Sequence, residues 1–400
     1  MSLIVQKFGG SSVANTERVF NVADIVTKTY AEGNDVVVVV SAQGDTTDDL
    51  IEKAREINPN PSKREMDVLL SNGEQISMSL LAMAIEKLGF PVITLTGWQA
   101  GIHTGMNYGA ARIKKIETER LKLEISKRRI VIVAGFQGIN KFEDITTLGR
   151  GGSDTTAVAL AAALGADLCQ IYTDVDGVYS SDPRVVKNAR KLDEISFDEM
   201  LELASLGANV LHNRSVEMAK RFNVDMEVVS SFTRNPGTKI KEANKMEKMN
   251  VSGVARDMDV AQISLVNMED VPGIAYKVFS LLANKGINVD IILQSVGRDD
   301  RKDIAFTVPS SAIDNAKKIL EDNKENLGFE KLAVRDDLCK LSIVGAGMVN
   351  NPGVAAMMFE ALAAANVNIN MISTSEIKVS VLIKKEDSER AMRAVHDKFF

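Results

Sequence analysis

The feature that most constrains the fold is an internal repeat near the end of the chain. Eight positions recur at one constant offset of 80 residues, without a gap. The pairs are Ile263 and Ile343, Pro272 and Pro352, Gly273 and Gly353, Ala275 and Ala355, Phe279 and Phe359, Leu282 and Leu362, Ala283 and Ala363, and Asn288 and Asn368. Each copy is predicted to form a strand, a helix with Pro-Gly at its N-terminus and the proline suited to its first turn, two strands and a further helix. The repeat therefore predicts two small modules of the same architecture.

The two copies differ at their ends. The first has a predicted closing strand near residues 330–334, whereas the second ends at Phe400 after its helix. Residues 251–255 precede the first copy and are the candidate to complete the second sheet, because an open sheet edge invites aggregation. We therefore predict that the first module is inserted into the second, with the strand at 251–255 beside the Leu341 or the Val379 strand.

Before the repeat, predicted strands and helices alternate. Strands near residues 36–40, 91–95, 130–134, 168–172 and 225–229 are separated by helical periodicity, with an interruption predicted at Gly73. This alternation predicts a mostly parallel sheet with helices on both faces and ligands at the carboxyl ends of the strands. The segment at 234–249 has the composition of a linker. The predicted domains are an α/β domain at 1–233, a linker at 234–249, a first module at 250–335 and a second at 336–400.

Two glycine-rich turns are expected at one edge of this sheet. The first, within residues 4–13, leads from a strand through Gly9 and Gly10 into a helix that Ser11 or Ser12 is expected to cap. Free backbone N–H groups and Lys7 suit an anion there. An ordinary strand-to-helix turn has the same pattern, and the stretch matches neither common nucleotide-binding fingerprint. A second glycine-rich turn, at 148–154, favours the interpretation of the first turn as an anion site over an ordinary strand-to-helix turn.

Composition excludes several classes of function. A length of 400 residues with 45% hydrophobic residues predicts two or three domains, and a net charge of -6 without a basic aromatic run argues against nucleic acid. Cys169 and Cys339 are far apart, and His103, His212 and His396 lack metal-ligand spacing or a triad partner. No leader or membrane-length apolar run is evident. We expect a cytoplasmic protein with reduced cysteines, no zinc and no membrane partner.

The polar residues at the predicted sheet edge suit phosphoryl transfer. Lys7, Glu74, Arg150 and Asp154 accompany the two turns, and such catalysis depends on positioning and charge neutralisation. Two unit charges about 4 Å apart interact by roughly 4 kcal/mol at an effective dielectric near 20. An anionic acceptor therefore needs cations beside ATP, which Lys7, Arg150 and a Mg²⁺ ion would supply.

Four ordered motifs together resemble those of the aspartate kinases. They are KFGGSSV at 7–13, LGRGGSD at 148–154, YTDVDGVY at 172–179 and STSEI at 373–377. The resemblance covers nearly the whole chain. It implies an α/β amino-acid-kinase-like three-layer sandwich with a mostly parallel sheet, followed by two ferredoxin-like βαββαβ ACT modules. It also implies transfer of the ATP γ-phosphoryl group to the side-chain carboxylate of L-aspartate, which opens lysine, threonine and methionine biosynthesis.

The resemblance assigns roles by motif position. The implied catalytic residues are Lys7, Arg150 and Asp154. The implied substrate contacts are Thr47, Glu74, Arg150, Gly151, Gly152, Ser153 and Asp154. The implied nucleotide contacts are Lys7, Phe8, Gly9, Gly10, Ser11, Ser41, Thr173, Asp174, Tyr179, Asp182 and Arg184. Arg150 would grip an aspartate carboxylate, and Asp154 and Glu74 would hold the substrate amine or support Lys7. Asp174 and Asp182 also suit turns, and Thr47 suits a helix cap.

One position departs from the family pattern. Asn209 stands where the family commonly has a lysine that faces the nucleotide. The departure predicts weaker ATP binding, or compensation by Arg184 or Arg214.

By pattern alone, the tandem modules suit dimerisation nearly as well as sensing. The resemblance implies feedback inhibition by lysine, threonine or both, bound between ACT modules of paired chains in a homo-oligomer. The implied effector contacts are Asp270, Gly273, Ile274, Ala275, Asp290, Gln294, Asn368 and Ile369. Some relatives also make a free regulatory chain by internal initiation, and Met246 or Met249 is suitably placed for it.

Two other functions remain open at this point. One is a kinase of the same fold that acts on glutamate or a related acid, against which the tandem modules and the set of Glu74, Arg150 and Asp154 argue. The other is an amino-acid-binding regulatory protein with an inactive kinase domain, which Asn209 slightly favours. The sequence does not identify the inhibiting amino acid.

Overall fold

The computed structural model describes residues 2–206, 210–233, 235–242, 251–297, 300–346, 348, 351 and 353–400. These residues form two compact units. The first unit lies within residues 1–179, 190–205 and 209–246, and the second within 180–189, 206–208 and 247–400. A short stretch that follows the YTDVDGVY motif thus belongs to the second unit.

The first unit combines twelve strands and seven helices over its described residues. The strands are β1 (Leu3–Phe8), β2 (Asp35–Val40), β3 (Val92–Leu95), β4 (Ile102–Thr104), β5 (Ile113–Ile116), β6 (Ile130–Ala134), β7 (Gln137–Ile139), β8 (Ile145–Thr147), β9 (Leu168–Thr173), β10 (Glu194–Ser196), β11 (Met226–Ser230) and β12 (Thr238–Lys241). The helices are α1 (Thr16–Ala31), α2 (Thr46–Ile57), α3 (Lys63–Lys87), α4 (Glu119–Ser126), α5 (Gly152–Leu164), α6 (Phe197–Ser205) and α7 (Asn213–Phe222). In the described part of the chain, eight strands form one sheet in the order β10-β12-β11-β9-β1-β2-β6-β3.

This sheet is mostly parallel, as predicted, with one antiparallel pairing between β11 and β12 in the described chain. On one face, Val36, Val38 and Val40 pack in a fully buried cluster with residues of α1 and α3. Val37 and Val39 are equally buried and point to the opposite face, because side chains alternate along a strand. Helix α5 packs against β1, β2 and β9. Helices therefore cover both faces, which gives the predicted three layers.

Helix α3 is one continuous helix of 25 residues, so the interruption predicted at Gly73 is wrong. A side chain at Gly73 would place its Cβ 2.7 Å from the Cβ of Ala42. The glycine therefore permits close approach of α3 to the loop after β2.

Helix α3 is long and apolar enough to span a membrane, but half of its most apolar stretch is buried inside the protein. Buried core helices can have the same length and composition, so these two properties alone are weak evidence for a membrane segment.

The linker predicted at 234–249 is wrong for residues 238–241, which form β12. Thr238 and Ile240 are fully buried, and β12 pairs with both β11 and β10. The Asn-Pro-Gly sequence lies where the chain reverses between β11 and β12 rather than at the end of the sheet. Residues 234 and 243–249 of the predicted linker lie outside the described residues.

The second unit contains the two repeat copies. Its strands over the described residues are β13 (Gly253–Asp257), β14 (Ala261–Glu269), β15 (Ile292–Gln294), β16 (Arg301–Val308), β17 (Lys331–Arg335), β18 (Leu338–Val344), β19 (Met371–Thr374) and β20 (Lys378–Lys384). Its helices are α8 (Ile274–Ala283), α9 (Ile313–Asp322), α10 (Lys324–Leu327), α11 (Val354–Ala364) and α12 (Ser388–Phe399). The sheets follow the orders β15-β16-β14-β17 and β13-β18-β20-β19.

Strand β13 takes the place in the second sheet that β17 takes in the first. It pairs antiparallel with β18, with Val254 opposite Ile343. This is the pairing expected for the strand predicted at 251–255, shifted by two residues. The first copy therefore lies in sequence between two adjacent strands of the second sheet.

In the first copy the Pro-Gly pair lies at the helix N-terminus as predicted, but the prediction that its proline lies in the first helical turn is wrong. The N-cap of α8 is Gly273, with φ of 89°, so Pro272 precedes the helix. Gly353 caps α11 in the same left-handed conformation, and Pro352 lies outside the described residues. Glycine recurs at this position because residues with a side chain rarely adopt the left-handed conformation.

Candidate active site

A cavity of about 700 Å³ opens at the carboxyl ends of the central strands of the first unit. All the substrate contacts implied by the family resemblance line it. They are Thr47, Glu74, Arg150, Gly151, Gly152, Ser153 and Asp154. Lys7, Gly10 and Ser41 from the implied nucleotide set also line it. The cavity has the volume of an ordinary small-molecule site.

The glycine turn after β1 is held tightly against the loop after β2. A Cβ at Gly10 would lie 2.7 Å from the carbonyl oxygen of Ala42, and the Gly44 N–H donates to the Gly10 carbonyl at 3.1 Å. The turn continues as a 3₁₀ segment at Gly10–Val13. The predicted capping of the helix by Ser11 or Ser12 is wrong, because Asn15 caps α1 through the Arg18 N–H. The 3₁₀ segment lies between the end of β1 and α1, so α1 begins only at Thr16, later than predicted.

Lys7 and Asp154 form an ion pair inside the cavity. The Lys7 Nζ lies 2.6 Å from Asp154 Oδ1, and both side chains are about nine-tenths buried. Lys7 comes from β1 and Asp154 from the first turn of α5. The pair therefore joins the two glycine-rich turns and fixes the direction of the lysine side chain.

Arg150 lies in the turn between β8 and α5. Gly149 and Gly151 on either side of it have φ of 77° and 66°, in the left-handed region. The Arg150 side chain is exposed, and no carboxylate forms an ion pair with it in the described part of the chain. A guanidinium without a protein counter-ion at a cavity wall is available for the carboxylate of a ligand.

Glu74 is a buried carboxyl group at the wall of the cavity. Its side chain comes from α3, the residue is 4% exposed, and its Oε1 accepts the Ala42 N–H at 3.2 Å. Its Oε2 has no hydrogen-bond partner within the described residues. Burial raises the pKa of Glu74 to about 8, because the charged form loses its hydration. The group is therefore poised to ionise beside an incoming cation.

The structure brings fewer of the implied nucleotide residues into the cavity. Phe8 is fully buried and stacks on Tyr172 with ring centroids 4.6 Å apart, so only its backbone is available to a ligand. Thr173 donates to Asp174, and Tyr179 donates to Asp176 at 2.9 Å. Gly9 lies beside Lys7, and Ser11 is exposed on the 3₁₀ segment.

Two further implied nucleotide residues belong to the second unit. Asp182 and Arg184 pair with each other there, with Arg184 Nη2 2.9 Å from Asp182 Oδ2, and this guanidinium lowers the pKa of Asp182. Asn209 lies outside the described residues. Arg214 donates to carbonyl groups of the first unit, so its predicted compensation at the nucleotide lacks support.

Asp67 is a cavity residue that sequence reasoning missed. Its carboxylate is 1% exposed and accepts the Gly109 N–H at 3.0 Å, the Thr147 N–H at 2.9 Å and the Thr147 hydroxyl at 2.6 Å. It thereby ties the end of β8 to the loop before β5. The sequence could have indicated Asp67 through its spacing from Glu74. The two residues are seven positions apart and therefore share one face of α3.

A second cavity, of about 340 Å³, lies in the second unit at the start of α8. It is lined by Asp270, Val271, Pro272, Gly273, Ile274, Ala275 and Lys302. Four of the implied effector contacts are thus brought together. Lys302 was missed by the sequence analysis, and its buried Nζ lies 2.6 Å from Asp270 Oδ1. The site combines an ion pair with the N-terminal end of a helix.

The other four implied effector contacts are not among the residues that line this cavity. Asp290 pairs with Lys340 at 2.5 Å. Gln294 is exposed on the edge strand β15, while Asn368 and Ile369 precede the edge strand β19. Each of these four residues lies on or near an edge of one of the two module sheets.

Comparison with protein families and known proteins agrees with both parts of the chain. The Amino acid kinase family matches residues 2–230, and the ACT domain family matches residues 263–323 and 341–399. A protein named aspartokinase from Bacillus sp. (strain MGA3) is 50% identical over 400 residues, covering 100% of this chain and 97% of its own length.

Two solved structures of one relative cover this chain completely. E. coli aspartokinase III in complex with aspartate and ADP (R-state) is 26% identical with a TM-score of 0.82, and 100% of its chain is covered. The same enzyme in complex with lysine and aspartate (T-state) is 26% identical with a TM-score of 0.76, and 99% of its chain is covered. Both the sequence and the structural likeness thus extend over the two units.

Proposed function

The chain belongs to the aspartokinases, enzymes of the amino acid kinase family that phosphorylate aspartate, and we propose that it transfers the γ-phosphoryl group of ATP to the side-chain carboxylate of L-aspartate. The product is 4-phospho-L-aspartate, which begins the biosynthesis of lysine, threonine and methionine. One observation carries the proposal: among the described residues, a buried cation, a guanidinium without an ion-pair partner and a buried carboxyl group with one unbonded oxygen surround one cavity.

Lys7 is proposed to neutralise charge on the transferring phosphoryl group. A carboxylate acceptor and the γ-phosphate repel each other, and the repulsion is strong where water is excluded. Lys7 is held by Asp154 in a cavity wall, so no reorganisation is needed when charge develops. Of the two roles that the sequence left open for Asp154, this ion pair favours support of Lys7.

Arg150 and Glu74 are proposed to recognise the acceptor. The fork of the Arg150 guanidinium suits a carboxylate of aspartate in bidentate geometry. Within the described chain one oxygen of the Glu74 carboxyl group has no hydrogen-bond partner, which suits the ammonium group of the same molecule. Thr47, Gly151, Gly152 and Ser153 complete this side of the cavity. An acidic amino acid therefore meets charges of the opposite sign at both ends.

The nucleotide is proposed to bind on the side of the first glycine turn. The backbone of Gly9 and Gly10 with Ser11 and Ser41 would hold phosphate oxygens, and Thr173, Asp174 and Tyr179 would approach the nucleoside. The described residues contain no cluster of three metal-ligating side chains. A Mg²⁺ ion would therefore be held chiefly by the phosphates, where it would neutralise negative charge.

A hydroxylamine-trapping assay tests this function. With ATP, Mg²⁺ and hydroxylamine, we expect an acyl hydroxamate from L-aspartate and none above background from L-glutamate, because the longer chain moves the acceptor carboxylate away from Lys7. Hydroxamate formed only from glutamate would reassign the enzyme to another acidic substrate. If neither acid reacts, the chain is a regulatory protein with an inactive kinase domain.

The second cavity is proposed to bind the feedback effector, lysine or threonine. An amino acid would place its carboxylate at the N-terminal end of α8 beside Lys302 and its ammonium group at Asp270. The edge strands β15 and β19 expose Ile292 and Ile372, which supports association with the modules of a second copy. Met246 and Met249, the candidate starts of a free regulatory chain, lie outside the described residues.

Replacing Asp270 by Asn tests the effector site. We expect the variant to keep its basal activity but to need at least about tenfold more effector for half-inhibition, since a charge-assisted contact contributes roughly 1.5–3 kcal/mol. The measurements are inhibition curves and the effector-dependent rise in Tm for each amino acid. Lys318→Met on the exposed face of α9 is the control. If neither lysine nor threonine changes wild-type activity or Tm, the sensor proposal fails.

We also propose a cytoplasmic location. Cys169 and Cys339 are free and buried, which suits a reducing compartment without disulfides. Cell fractionation that finds the protein outside the cytoplasm would contradict this proposal.

A further inference from the structure

Arg214 ties together two segments that flank the Arg150 turn. Its Nη1 donates to the carbonyl oxygen of Leu148 at 2.8 Å, and its Nη2 donates to that of Ala111 at 2.9 Å. The Ala111 N–H in turn donates to the carbonyl oxygen of Thr147 at 2.9 Å. One guanidinium therefore bridges the start of the turn and the loop before β5 that lies beside it in space.

The residue that caps α7 supports the same turn from another side. His212 is the N-cap of α7, and its Nδ1 accepts the Arg214 N–H at 3.3 Å. A Cβ added to Gly151 would lie 2.3 Å from the Cβ and Cγ of His212. The imidazole therefore lies directly against the backbone of Gly151, immediately after Arg150.

The turn itself has little local rigidity. Arg150 follows Gly149 and precedes Gly151 and Gly152, and glycine backbones adopt many conformations at similar energy. The direction of the Arg150 side chain therefore depends on contacts from outside the turn. In the described structure those contacts include the hydrogen bond from Arg214 to the Leu148 carbonyl and the packing of His212 against Gly151, while a second hydrogen bond anchors Arg214 to the Ala111 carbonyl.

The electrostatic setting of Arg214 also favours a geometric role. It is half-buried, and no carboxylate forms an ion pair with it in the part of the chain that the structure describes. Burial, followed by repulsion from Arg112, lowers its pKa from the ordinary value. Removing a cation from water costs free energy. For Arg214, hydrogen bonds to two backbone carbonyls offset this cost in place of an opposite charge.

We propose that Arg214 is a positioning residue for the acceptor: it holds the Leu148–Gly151 turn so that the Arg150 guanidinium meets the aspartate carboxylate in bidentate geometry, with His212 supporting the far end of the turn. The proposal rests on the proposed role of Arg150 in binding aspartate. It depends on the guanidinium fork, because a lysine ammonium group is a compact point charge that does not span the two carbonyls in the same geometry.

Steady-state kinetics of Arg214→Lys test the proposal. The variant keeps the positive charge and loses the fork. We expect the KM for aspartate to rise about 10- to 100-fold, while the KM for ATP and the kcat at saturating aspartate change less than threefold. His212→Ala, which removes an exposed side chain, should raise the same KM by a smaller factor and leave the Tm within about 2 °C of wild type.

Arg221→Lys is the matched control, because Arg221 lies exposed in the last turn of the same helix. It should leave every constant unchanged. If Arg214→Lys keeps the wild-type KM for aspartate, or loses kcat, both KM values and Tm together, Arg214 is not a positioning residue for the acceptor. A wild-type enzyme that fails to phosphorylate aspartate would instead overturn the proposed function, so the two failures are distinguishable.

Discussion

Replacing Lys7 by Met is expected to lower kcat about 10³-fold, the scale on which one preorganised charge or donor affects a transition state. The methionine keeps the apolar stem and removes the only charge that the side chain carries. The loss should appear chiefly in kcat, because the repulsion between acceptor and phosphoryl group is greatest as the new bond forms. Hydroxamate production and ADP release both measure it.

The ion pair with Asp154 complicates this variant, and a second substitution resolves the complication. Lys7→Met leaves a buried carboxylate without its cation, which costs roughly 3–5 kcal/mol when a buried pair is broken. The double variant Lys7→Met with Asp154→Asn removes that charge, so it should regain most of the lost Tm. It should remain inactive. Recovery of kcat to within tenfold of wild type would show that Lys7 acts only by stabilising the fold.

Replacing Glu74 by Gln is expected to change the pH dependence of folding. The pKa of Glu74 is about 8 in the folded protein and 4.5 for an ordinary glutamate, so between these values the folded state binds more protons than the unfolded state. The stability of the wild type relative to the variant therefore falls as the pH rises from about 5 to about 8, by up to roughly 5 kcal/mol. Urea unfolding of both proteins at several pH values measures the difference. A constant difference would contradict the shifted pKa.

The same group makes a second measurable signal when aspartate binds. At pH 7 a carboxyl group with a pKa of 8 carries about 0.9 proton, and an ammonium ion beside it favours the charged form. Binding of aspartate should therefore release up to about 0.9 proton, seen in calorimetry as a heat that varies with the ionisation enthalpy of the buffer. Glu74→Gln should release none from this site. Equal release by both proteins would show that Glu74 does not meet the ammonium group.

Several features of the fold could be predicted because they depend on short stretches of sequence. The alternation of strands, such as those at 36–40 and 130–134, with helices predicts a mostly parallel sheet, and the constant spacing of the repeat predicts two similar modules. The missing fourth strand of the second copy predicts a strand from before the repeat, and β13 beside β18 has that arrangement. These inferences need only side-chain periodicity and the requirement that strand edges be paired.

Other expectations failed where a distant segment decides the local conformation. Gly73 was expected to interrupt α3, but Ala42 packs against it and the helix continues. The segment with β12 was expected to be a linker, but a place beside β11 and β10 buries Thr238 and Ile240. The secondary structure of glycine-containing and charged segments is hard to predict from sequence alone. It depends on which distant segments of the chain pack against them.

By itself, the sequence determined the two glycine-rich turns, the residues that they bring to the sheet edge and the duplicated modules. Those features follow from the conformational freedom of glycine and from periodicities of two and 3.6 residues, which are local properties. Only the tertiary structure decided the raised pKa of Glu74, the ion pairs of Lys7 with Asp154 and of Lys302 with Asp270, and the two carbonyl contacts of Arg214. The physical reason is that desolvation and hydrogen bonding depend on which groups from separate segments exclude water together.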